Sequence, residues 1–190
     1  MIKHRAIFLD RDGTINIDKK YLHKIQDFEF LPGVVDALKQ AQEKGYHLIV
    51  VTNQSGIARG YYTEQDFLTL NDWMLDELAK RKVHIDRVYY CPHHPNGVIE
   101  KYRVKCNCRK PGIELFMKAA RDFNLDLDSC FAVGDRIRDL CICESTDAAG
   151  FLIGENEDKD LIQKVKVGKL RKVRYAKDLL QAVHIILQQK

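Results

Sequence analysis

Two aspartates separated by one residue, Asp10 and Asp12, directly follow a short apolar run at Ala6–Leu9 that is typical of a buried strand. Gly13 comes next and permits a sharp turn. Carboxylates at the carboxyl end of a parallel strand lie where open α/β sheets bind ligands. Because two like charges this close repel each other, the pair needs a cation or a shared proton. A hard ion such as Mg²⁺ takes carboxylate oxygens together with substrate phosphate, which leaves one acid to attack phosphorus and the other to move a proton.

Further polar residues stand where later strands are predicted to end. Thr52 and Asn53 follow the second predicted strand, and Asp135 follows the fourth. Arg109 and Lys110 precede a predicted helix. Each of these signals, like the D-x-D pair itself, also occurs in ordinary turns, helix caps or solvated surfaces. Because the carboxyl ends of parallel strands share one crevice, their succession predicts a single site for phosphoryl transfer.

Strand-like and helix-like segments alternate along the chain, which predicts an α/β fold with a mainly parallel sheet between two helical layers. We expect one domain over residues 1–190. Residues 54–62 are predicted to form a loop. The predicted strands are Ala6–Leu9, His47–Val51, Arg87–Tyr90, Cys130–Val133 and Phe151–Ile153, and the predicted helices span about 32–44, 63–82, 113–123, 140–145 and 176–187.

An 18-residue segment from Cys91 to Cys108 has little hydrophobic periodicity and concentrates metal-binding side chains. It contains His93, His94 and Cys106 besides its two ends. Three thiolates and an imidazole suit a closed tetrahedral Zn²⁺ site, and by spacing alone either histidine fits. A structural ion would order a loop that has almost no apolar residues to bury. We therefore predict a zinc loop at residues 91–108.

The overall composition is that of a globular protein with a mild positive charge. The formal net charge is +4, and no apolar run approaches the ~18 residues of a membrane span. No secretory signal is apparent, so we expect the six cysteines to be reduced and the protein to be cytoplasmic. The basic residues near the C-terminus have little aromatic interleaving, so we expect a solvated face and no nucleic-acid partner. They are Lys164, Lys166, Lys169, Arg171, Lys172, Arg174 and Lys177.

The motif D-R-D-G-T at residues 10–14, together with Thr52, Lys110 and Asp135, resembles the four motifs of the haloacid dehalogenase superfamily. The longer strings F-L-D-R-D-G-T-I-N, V-T-N-Q-S-G-I-A-R-G, Y-Y-C-P-H-H-P and C-N-C-R-K-P-G resemble one family within it, the D-glycero-D-manno-heptose-1,7-bisphosphate 7-phosphatases. Histidinol-phosphate phosphatases share the metal loop but typically have a shorter gap between its halves. The resemblance implies a Rossmann-like three-layer sandwich without a large cap domain.

The resemblance also implies a Mg²⁺-dependent phosphatase that acts through an aspartyl phosphate in the biosynthesis of nucleotide-activated heptose. Asp10 would be the nucleophile and Asp12 the general acid and base. Thr52 and Asn53 would bind phosphoryl oxygens, and Lys110 would supply positive charge. The implied ligands are Asp10, the main-chain carbonyl of Asp12 and Asp135 for magnesium, and Cys91, His93, Cys106 and Cys108 for zinc.

Small loops would then define the pocket for a small phosphorylated sugar. The implied substrate-binding residues are Asp18, Tyr21, Asn53, Gln54, Ser55, Arg59, Arg109 and Arg136. Residues 56–60 resemble a mobile loop that closes over the substrate. Lys19 and Lys20 depart from the family pattern, as do Cys141 and Cys143, for which we expect packing roles. We expect a monomer without membrane contact. The alternatives are a histidinol-phosphate phosphatase, a non-catalytic zinc-loop module and, less favoured, a nucleic-acid end-processing enzyme.

Overall fold

The computed structural model describes residues 3–154, 163, 165, 170 and 172–189, which contain a six-stranded parallel sheet flanked by helices. The strands are β1 (Ala6–Leu9), β2 (His47–Asn53), β3 (Arg87–Cys91), β4 (Phe131–Gly134), β5 (Ala149–Ile153) and β6 (Val173–Ala176). The helices are α1 (Val34–Glu43), α2 (Ser55–Ala58), α3 (Glu64–Lys80), α4 (Glu114–Asp122), α5 (Ile142–Ser145) and α6 (Leu179–Gln188).

The strand order β3-β2-β1-β4-β5-β6 places β1 in the interior of the sheet, between β2 and β4. All strand pairs are parallel. From β1 the chain adds β2 and β3 on one side, and from β4 it adds β5 and β6 on the other side. Open α/β sheets bind ligands in the crevice at such a boundary, outside the carboxyl ends of the two strands. The amide of Asp10 donates to the carbonyl of Val133 at 3.0 Å, which continues the β1–β4 pairing to that edge.

Both faces of β1 are buried, and its side chains divide between two cores. Ile7 and Leu9 pack in a cluster that includes residues of α1 and α6. Phe8 lies on the opposite face, where its ring meets Phe116 of α4 edge-on at 5.2 Å. Continuous burial without polar alternation is expected when helices cover both sides of a parallel sheet. The prediction of a three-layer α/β fold with a mainly parallel sheet and no large cap is confirmed.

The third helix has the predicted N-cap. Thr63 accepts from the amide of Asp66, and the Asp66 carboxylate accepts from the amide of Thr63, which completes a capping box. Two other local predictions were wrong. Residues 55–58 form the short helix α2 within the segment predicted as a loop, and residues 173–176 form β6, so the last helix begins at Leu179, behind an Asp178 cap.

The remaining differences in element boundaries are small. Residues 137–140 form a 3₁₀ turn ahead of the short α5, where one helix over 140–145 was predicted. The four basic residues Lys164, Lys166, Lys169 and Arg171 lie outside the described residues. Among the residues that the structure describes, no helix combines the length and the apolar character that crossing a bilayer requires.

Candidate active site

One cavity of about 350 Å³ opens at the carboxyl ends of β1 and β2, which is the position that the sheet topology predicts. Every residue predicted to take part in catalysis or substrate binding lines it. These are Asp10, Asp12, Asp18, Tyr21, Thr52, Asn53, Gln54, Ser55, Arg59, Arg109, Lys110 and Arg136. The lining also includes Lys20, Gly56, Tyr62, Arg138 and Asp139. The roles of these residues stay predictions, but their convergence is a feature of the fold.

The floor of the cavity is a buried charge cluster centred on Lys110. Its ammonium lies 2.8 Å from a carboxylate oxygen of Asp10 and 2.7 Å from one of Asp139. It also donates to the carbonyl of Val51 at 2.7 Å. The Lys110 backbone is fixed as well, because the side-chain amide of Asn53 donates to its carbonyl and accepts from its amide. A cation with three donors is thus held without water beside the predicted nucleophile.

Asp10 and Asp135 lie in an environment that has more negative charge than Lys110 neutralises. Burial raises the pKa of Asp10 to about 7, and Asp139 adds to the increase while Lys110 opposes it. Burial and the Asp139 charge raise the pKa of Asp135 to about 6. Carboxylate oxygens of Asp10, Asp135 and Asp139 all lie within 4.8 Å of one another. Hard oxygen donors at this spacing fit a divalent cation such as Mg²⁺.

Gly13 is what allows Asp135 to reach this cluster. Its φ of +88° is a left-handed conformation, and a Cβ atom built there would lie 2.5 Å from a carboxylate oxygen of Asp135. Real Cβ contacts are never this short, so any side chain at this position would displace the Asp135 carboxylate. The glycine of the D-x-D-G motif therefore provides both the turn and the space for the acid from β4.

Asp12 points to a different set of donors from Asp10. Its two carboxylate oxygens accept from the guanidinium of Arg11, the side-chain amide of Asn16 and that of Gln54, at 3.0 to 3.2 Å. Arg11 is fully buried and also donates to the carbonyl of Leu22. The predicted general acid and base is thus oriented by three neighbours while the predicted nucleophile is paired with Lys110.

The cavity also carries an unbalanced group of guanidinium side chains. Burial lowers the pKa of Arg109, and the nearby charges of Arg138 and Arg59 lower it further. Within the described part of the chain, no carboxylate lies within ion-pair distance of Arg109. Arg138 lies 4.0 Å from a carboxylate oxygen of Asp139, so Arg59 and Arg109 are the members of the group without an acidic partner among the described residues. Such a pair of guanidinium groups suits an anion such as a phosphate group.

The rim of the cavity is formed by the segment after β1 and the turn after β4. Asp18 accepts from the guanidinium of Arg136 at 2.9 Å, and this pair bridges the two segments. Tyr21 is 43% exposed and meets the ring of Tyr61 edge-on at 4.5 Å. Lys20 and Tyr21 have φ values of 55° and 60°, a left-handed conformation that is uncommon for residues with side chains.

The four predicted zinc ligands form a second, separate cluster in the segment after β3. Ligand atoms of Cys91, His93, Cys106 and Cys108 all lie within 4.8 Å of one another. The Sγ atoms of the cysteines are 3.1 to 3.6 Å apart, and Nδ1 of His93 is 3.3 Å from Sγ of Cys108. Three sulfurs and one imidazole nitrogen at the corners of a small tetrahedron fit Zn²⁺.

The neighbouring His94 takes a different position. Its Nε2 lies 3.0 Å from the guanidinium of Arg59, and its Nδ1 accepts from the amide of Asn96. Of the two histidines that the spacing allowed, the structure therefore brings His93 to the cysteine cluster. His94 instead connects the loop to Arg59, which lines the cavity.

The loop with the cysteine cluster is tied to α2, which contributes Ser55 and Gly56 to the cavity, and to the start of α3. The carbonyl of Ala58 accepts from the amides of Val98 and Ile99. Glu64 at the start of α3 accepts from the hydroxyls of Tyr90 and Tyr102 at 2.9 and 2.6 Å. Residues 56–58 are buried, so this part of the segment 56–60 is a packed helical turn rather than the open loop that was predicted.

The sequence interpretation assigned no role to several residues in or beside the cavity. Asp139 follows Asp135 by one helical turn, which indicates that both acids belong to the site, but the spacing does not show that Asp139 pairs with Lys110. Arg138 lies beside Asp139. Tyr62, which lines the cavity, and Arg11, which holds Asp12 from behind it, gave no such signal. A tyrosine is found at all degrees of burial, and an arginine between two aspartates is usually exposed.

The family model described as polynucleotide kinase 3 phosphatase matches residues 5–162. D-glycero-beta-D-manno-heptose-1,7-bisphosphate 7-phosphatase from Salmonella typhi is 54% identical over 136 residues, which cover 71% of this chain and 72% of that protein. The protein of the same name from Escherichia coli K12 is 50% identical over 135 residues and 71% of both chains. The crystal structure of D,D-heptose 1,7-bisphosphate phosphatase from B. bronchiseptica, complexed with magnesium and phosphate, superposes with a TM-score of 0.83 at 28% identity, covering 98% of this chain and 99% of that one.

Proposed function

Because the chain belongs to the D-glycero-beta-D-manno-heptose-1,7-bisphosphate 7-phosphatase family, we propose that it hydrolyses the 7-phosphate of D-glycero-D-manno-heptose 1,7-bisphosphate. The product, a heptose 1-phosphate, would enter the synthesis of a nucleotide-activated heptose for a surface glycan. The solved relative that contains magnesium and phosphate supports Mg²⁺ as the catalytic ion. In this chain Asp10, Asp135 and the main chain of Asp12 would hold the ion, and it would neutralise charge on the phosphoryl oxygens.

The proposed chemistry needs one acid as a nucleophile and a second as a proton carrier. A carboxylate oxygen of Asp10 attacks phosphorus and forms an aspartyl phosphate, while Asp12 gives a proton to the departing alkoxide. Asp12 then removes a proton from the water that hydrolyses the intermediate. Lys110 and the Thr52 hydroxyl face the same cavity and supply positive charge and a donor to the equatorial oxygens.

The observation that carries the choice of a bisphosphate is the arginine group of the cavity. Arg59, Arg109 and Arg138 lie close enough for their charges to act on one another, and Arg109 has no acidic partner among the described residues. A single phosphate beside Asp10 would leave Arg59 and Arg109 unneutralised, whereas Arg138 lies 4.0 Å from Asp139. A second phosphate on the same substrate matches their fork geometry and compensates their charge.

We propose Zn²⁺ as the ion of the cysteine cluster, with a structural role. The four side chains fill a tetrahedral site completely and leave no open position for chemistry. Arg109 and Lys110 directly follow the ligand Cys108, so the ion would fix the start of the segment that carries both cations. Its function would be to hold the phosphate-binding arginine in place rather than to activate water.

We further propose one phosphatase domain over residues 1–190, active as a cytoplasmic monomer without nucleic-acid or membrane partners. The six cysteines form no disulfide, which suits a reducing compartment. The mild net charge of +4 favours a small anionic substrate over a polyanion. Size-exclusion chromatography with light scattering measures the oligomeric state directly, and a dimer mass would contradict this part of the proposal.

Substrate competition provides the main test. We expect kcat/KM for heptose 1,7-bisphosphate to exceed that for histidinol phosphate and for a 3′-phosphorylated oligonucleotide by roughly 100-fold or more, the selectivity that unpaired binding-site charges provide. A preference for histidinol phosphate would favour the alternative enzyme, and a preference for the oligonucleotide would favour end processing. Failure to release phosphate from any monoester with Mg²⁺ would support a non-catalytic module.

A single substitution tests the mechanism. Asp10→Asn keeps the size of the side chain but removes the nucleophile, so we expect turnover to fall by a factor of roughly 10⁴ or more. Full activity in this variant would contradict the aspartyl-phosphate mechanism. Trapping of a phosphorylated Asp10 in the unsubstituted protein by rapid acid quench and peptide mass spectrometry gives an independent measurement.

A further inference from the structure

A buried chain of hydrogen bonds lies behind the phosphate end of the cavity. The hydroxyl of Tyr62 is 2.6 Å from Oε1 of Gln54. Nε2 of the same Gln54 amide is 2.9 Å from Oγ1 of Thr52 and 3.1 Å from a carboxylate oxygen of Asp12. Gln54 and Thr52 are 2% and 1% exposed, so solvent does not replace these contacts. The chain connects a tyrosine with no assigned role to two residues of the proposed mechanism.

The placement of the Gln54 amide sets the direction of every bond in this chain. Its Nε2 faces both Asp12 and Thr52, and an amide nitrogen only donates. The other end of the amide is then the oxygen, which obliges Tyr62 to donate its hydroxyl proton. The second hydrogen of the Gln54 nitrogen goes to Oγ1 of Thr52. Because that oxygen accepts from Gln54, the hydrogen of the Thr52 hydroxyl is directed elsewhere, and Thr52 lines the cavity.

We propose that Tyr62 and Gln54 are positioning residues that polarise this chain so that the Thr52 hydroxyl donates to the phosphoryl group. The proposal rests on the proposed function, which places a phosphoryl group in front of Thr52. The same Gln54 amide holds Asp12 beside that donor. The Gln54 amide therefore fixes both the direction of the Thr52 hydroxyl proton and the orientation of the Asp12 carboxyl group.

Two further features fit a tyrosine that is required to stay in place as a donor. A Cβ atom on Gly56 would lie 2.1 Å from the Tyr62 ring, so the glycine after Gln54-Ser55 provides the space that the ring occupies. The imidazole of His23 stacks on the ring with the two centroids 5.1 Å apart. Burial raises the pKa of Tyr62 above its usual range, so the hydroxyl keeps its proton throughout the physiological pH range.

The first test removes only the hydroxyl. Tyr62→Phe keeps the packed ring but frees the Gln54 amide to rotate, and we expect kcat to fall about tenfold, the factor that corresponds to one hydrogen bond. The effect belongs in kcat more than in KM, because the phosphoryl oxygens gain charge in the transition state. The adjacent Tyr61→Phe is the matched control: Tyr61 is 55% exposed, and we expect kcat within twofold of the unsubstituted value.

A double-mutant cycle separates a role through Gln54 from general packing. Gln54→Leu keeps the approximate shape and removes the amide. If Tyr62 acts through the amide, adding Tyr62→Phe to Gln54→Leu changes kcat by less than about twofold. Tenfold losses that multiply in the double variant would overturn the proposal, as would an unaltered kcat in Tyr62→Phe.

Reversing the polarity gives a third readout. Gln54→Glu places a carboxylate oxygen against Asp12 and makes the group beside Thr52 an acceptor, so we expect a loss of roughly 100-fold near neutral pH. Protonation of the introduced carboxyl restores a donor, so the ratio of variant to unsubstituted activity should rise as pH falls. A ratio that does not change with pH would contradict the proposed direction of the bonds.

All three measurements are made with an aryl phosphate monoester as well as with heptose 1,7-bisphosphate. The hydrogen-bond chain from Tyr62 to Thr52, called the relay below, acts on the transferred phosphoryl group. The losses of kcat should therefore appear with both substrates. If the unsubstituted protein hydrolyses the aryl ester but not the bisphosphate, the substrate assignment fails while the relay is still tested. If both substrates are hydrolysed and Tyr62→Phe is as active as the unsubstituted protein, the relay fails alone.

Discussion

Lys110 neutralises two carboxylates in a position that water does not reach. Its side chain is 1% exposed and lies within 2.8 Å of both Asp10 and Asp139. Removing one member of a buried ionic group leaves the others uncompensated, which typically costs about 3–5 kcal/mol. In the proposed mechanism the same charge stabilises the phosphoryl transition state. We therefore expect stability and catalysis to depend on one ammonium group.

We expect Lys110→Met, which keeps the length of the side chain, to lower kcat/KM by roughly 100-fold or more and to reduce the melting temperature. The matched control is Lys118→Met. Lys118 also pairs with a carboxylate, that of Asp122 at 3.0 Å, but its side chain is half exposed, and such pairs contribute ~0–1 kcal/mol. Steady-state kinetics and calorimetry measure both effects, and equal behaviour of the two variants would contradict this account of the cluster.

Gly13 offers a test of the proposed magnesium site. We expect Gly13→Ala to displace the Asp135 carboxylate and to raise the Mg²⁺ concentration for half-maximal activity about tenfold or more. Gly45→Ala is a control for the backbone alone, because Gly45 has a similar φ of +80° but nothing within 4 Å of its added Cβ. Both variants should lose about 1 kcal/mol of stability from the left-handed backbone, and only the first should change the Mg²⁺ dependence.

At the scale of elements, the loop at residues 91–108 is the part whose order we expect to depend most on a metal. Its hydrophobic side chains are largely exposed, as with Val98 at 71%. It is held by hydrogen bonds to α2 and α3 and by the cysteine cluster. An ion that joins Cys91 at the end of β3 to Cys108 would close this loop at its base and place Arg109 in the cavity.

The two adjacent histidines allow a matched comparison in this loop. We expect His93→Ala to lower the zinc content measured by elemental analysis and to reduce the melting temperature. His94→Ala should keep full zinc content, because His94 contacts Arg59 rather than the cysteines. Its effect should appear instead as a higher KM for the bisphosphate. Loss of zinc from His94→Ala with retention in His93→Ala would reverse the assignment.

The sequence made the elements around the site predictable and left the peripheral ones less certain. Fully apolar runs such as Leu48–Val51 are typical of a strand buried on both faces, and their short length and β-branched residues favour a strand over a buried helix. β6 was missed because its four residues, Val173–Ala176, have only two buried side chains and run directly into a helical pattern. α2 was missed because Gly56 is a poor helix former, and the helix depends on packing against the Tyr62 ring.

The sequence was sufficient to predict which residues come together in the site, because strand ends and motifs identify them. The rule for parallel sheets brought Asp10, Thr52 and Asp135 to one edge without any knowledge of side-chain directions. It could not give the partners of each group. Two examples are the hydrogen bonds of Asn53 to the Lys110 backbone and of Tyr62 to Gln54. Both depend on tertiary packing and have no signature in the local sequence.

At the scale of the whole molecule, the active site opposes the stability of the fold when no divalent ion is bound. Burial raises the pKa of Asp10 to about 7 and that of Asp135 to about 6, both from an ordinary value of 3.8. Between about pH 4 and pH 7 the unfolded chain has therefore released protons that the folded chain still holds. The free energy of unfolding contributed by these two groups falls as the pH rises through this window.

Magnesium should remove this decline, because an ion bound to the carboxylates favours their charged forms. We expect the zinc-loaded, magnesium-free protein to lose stability from Asp10 and Asp135 between about pH 4 and pH 7, and saturating Mg²⁺ to restore most of it at the higher pH. Asp135→Asn removes one titrating acid, so its stability should depend less on pH without Mg²⁺ and gain less when Mg²⁺ is added. Comparing the two proteins by calorimetry at each pH cancels the titration of all other groups. A gain from Mg²⁺ that is equal in both proteins, or larger at low pH, would place the ion away from Asp135 and contradict the convergence of acids on which the proposed chemistry depends.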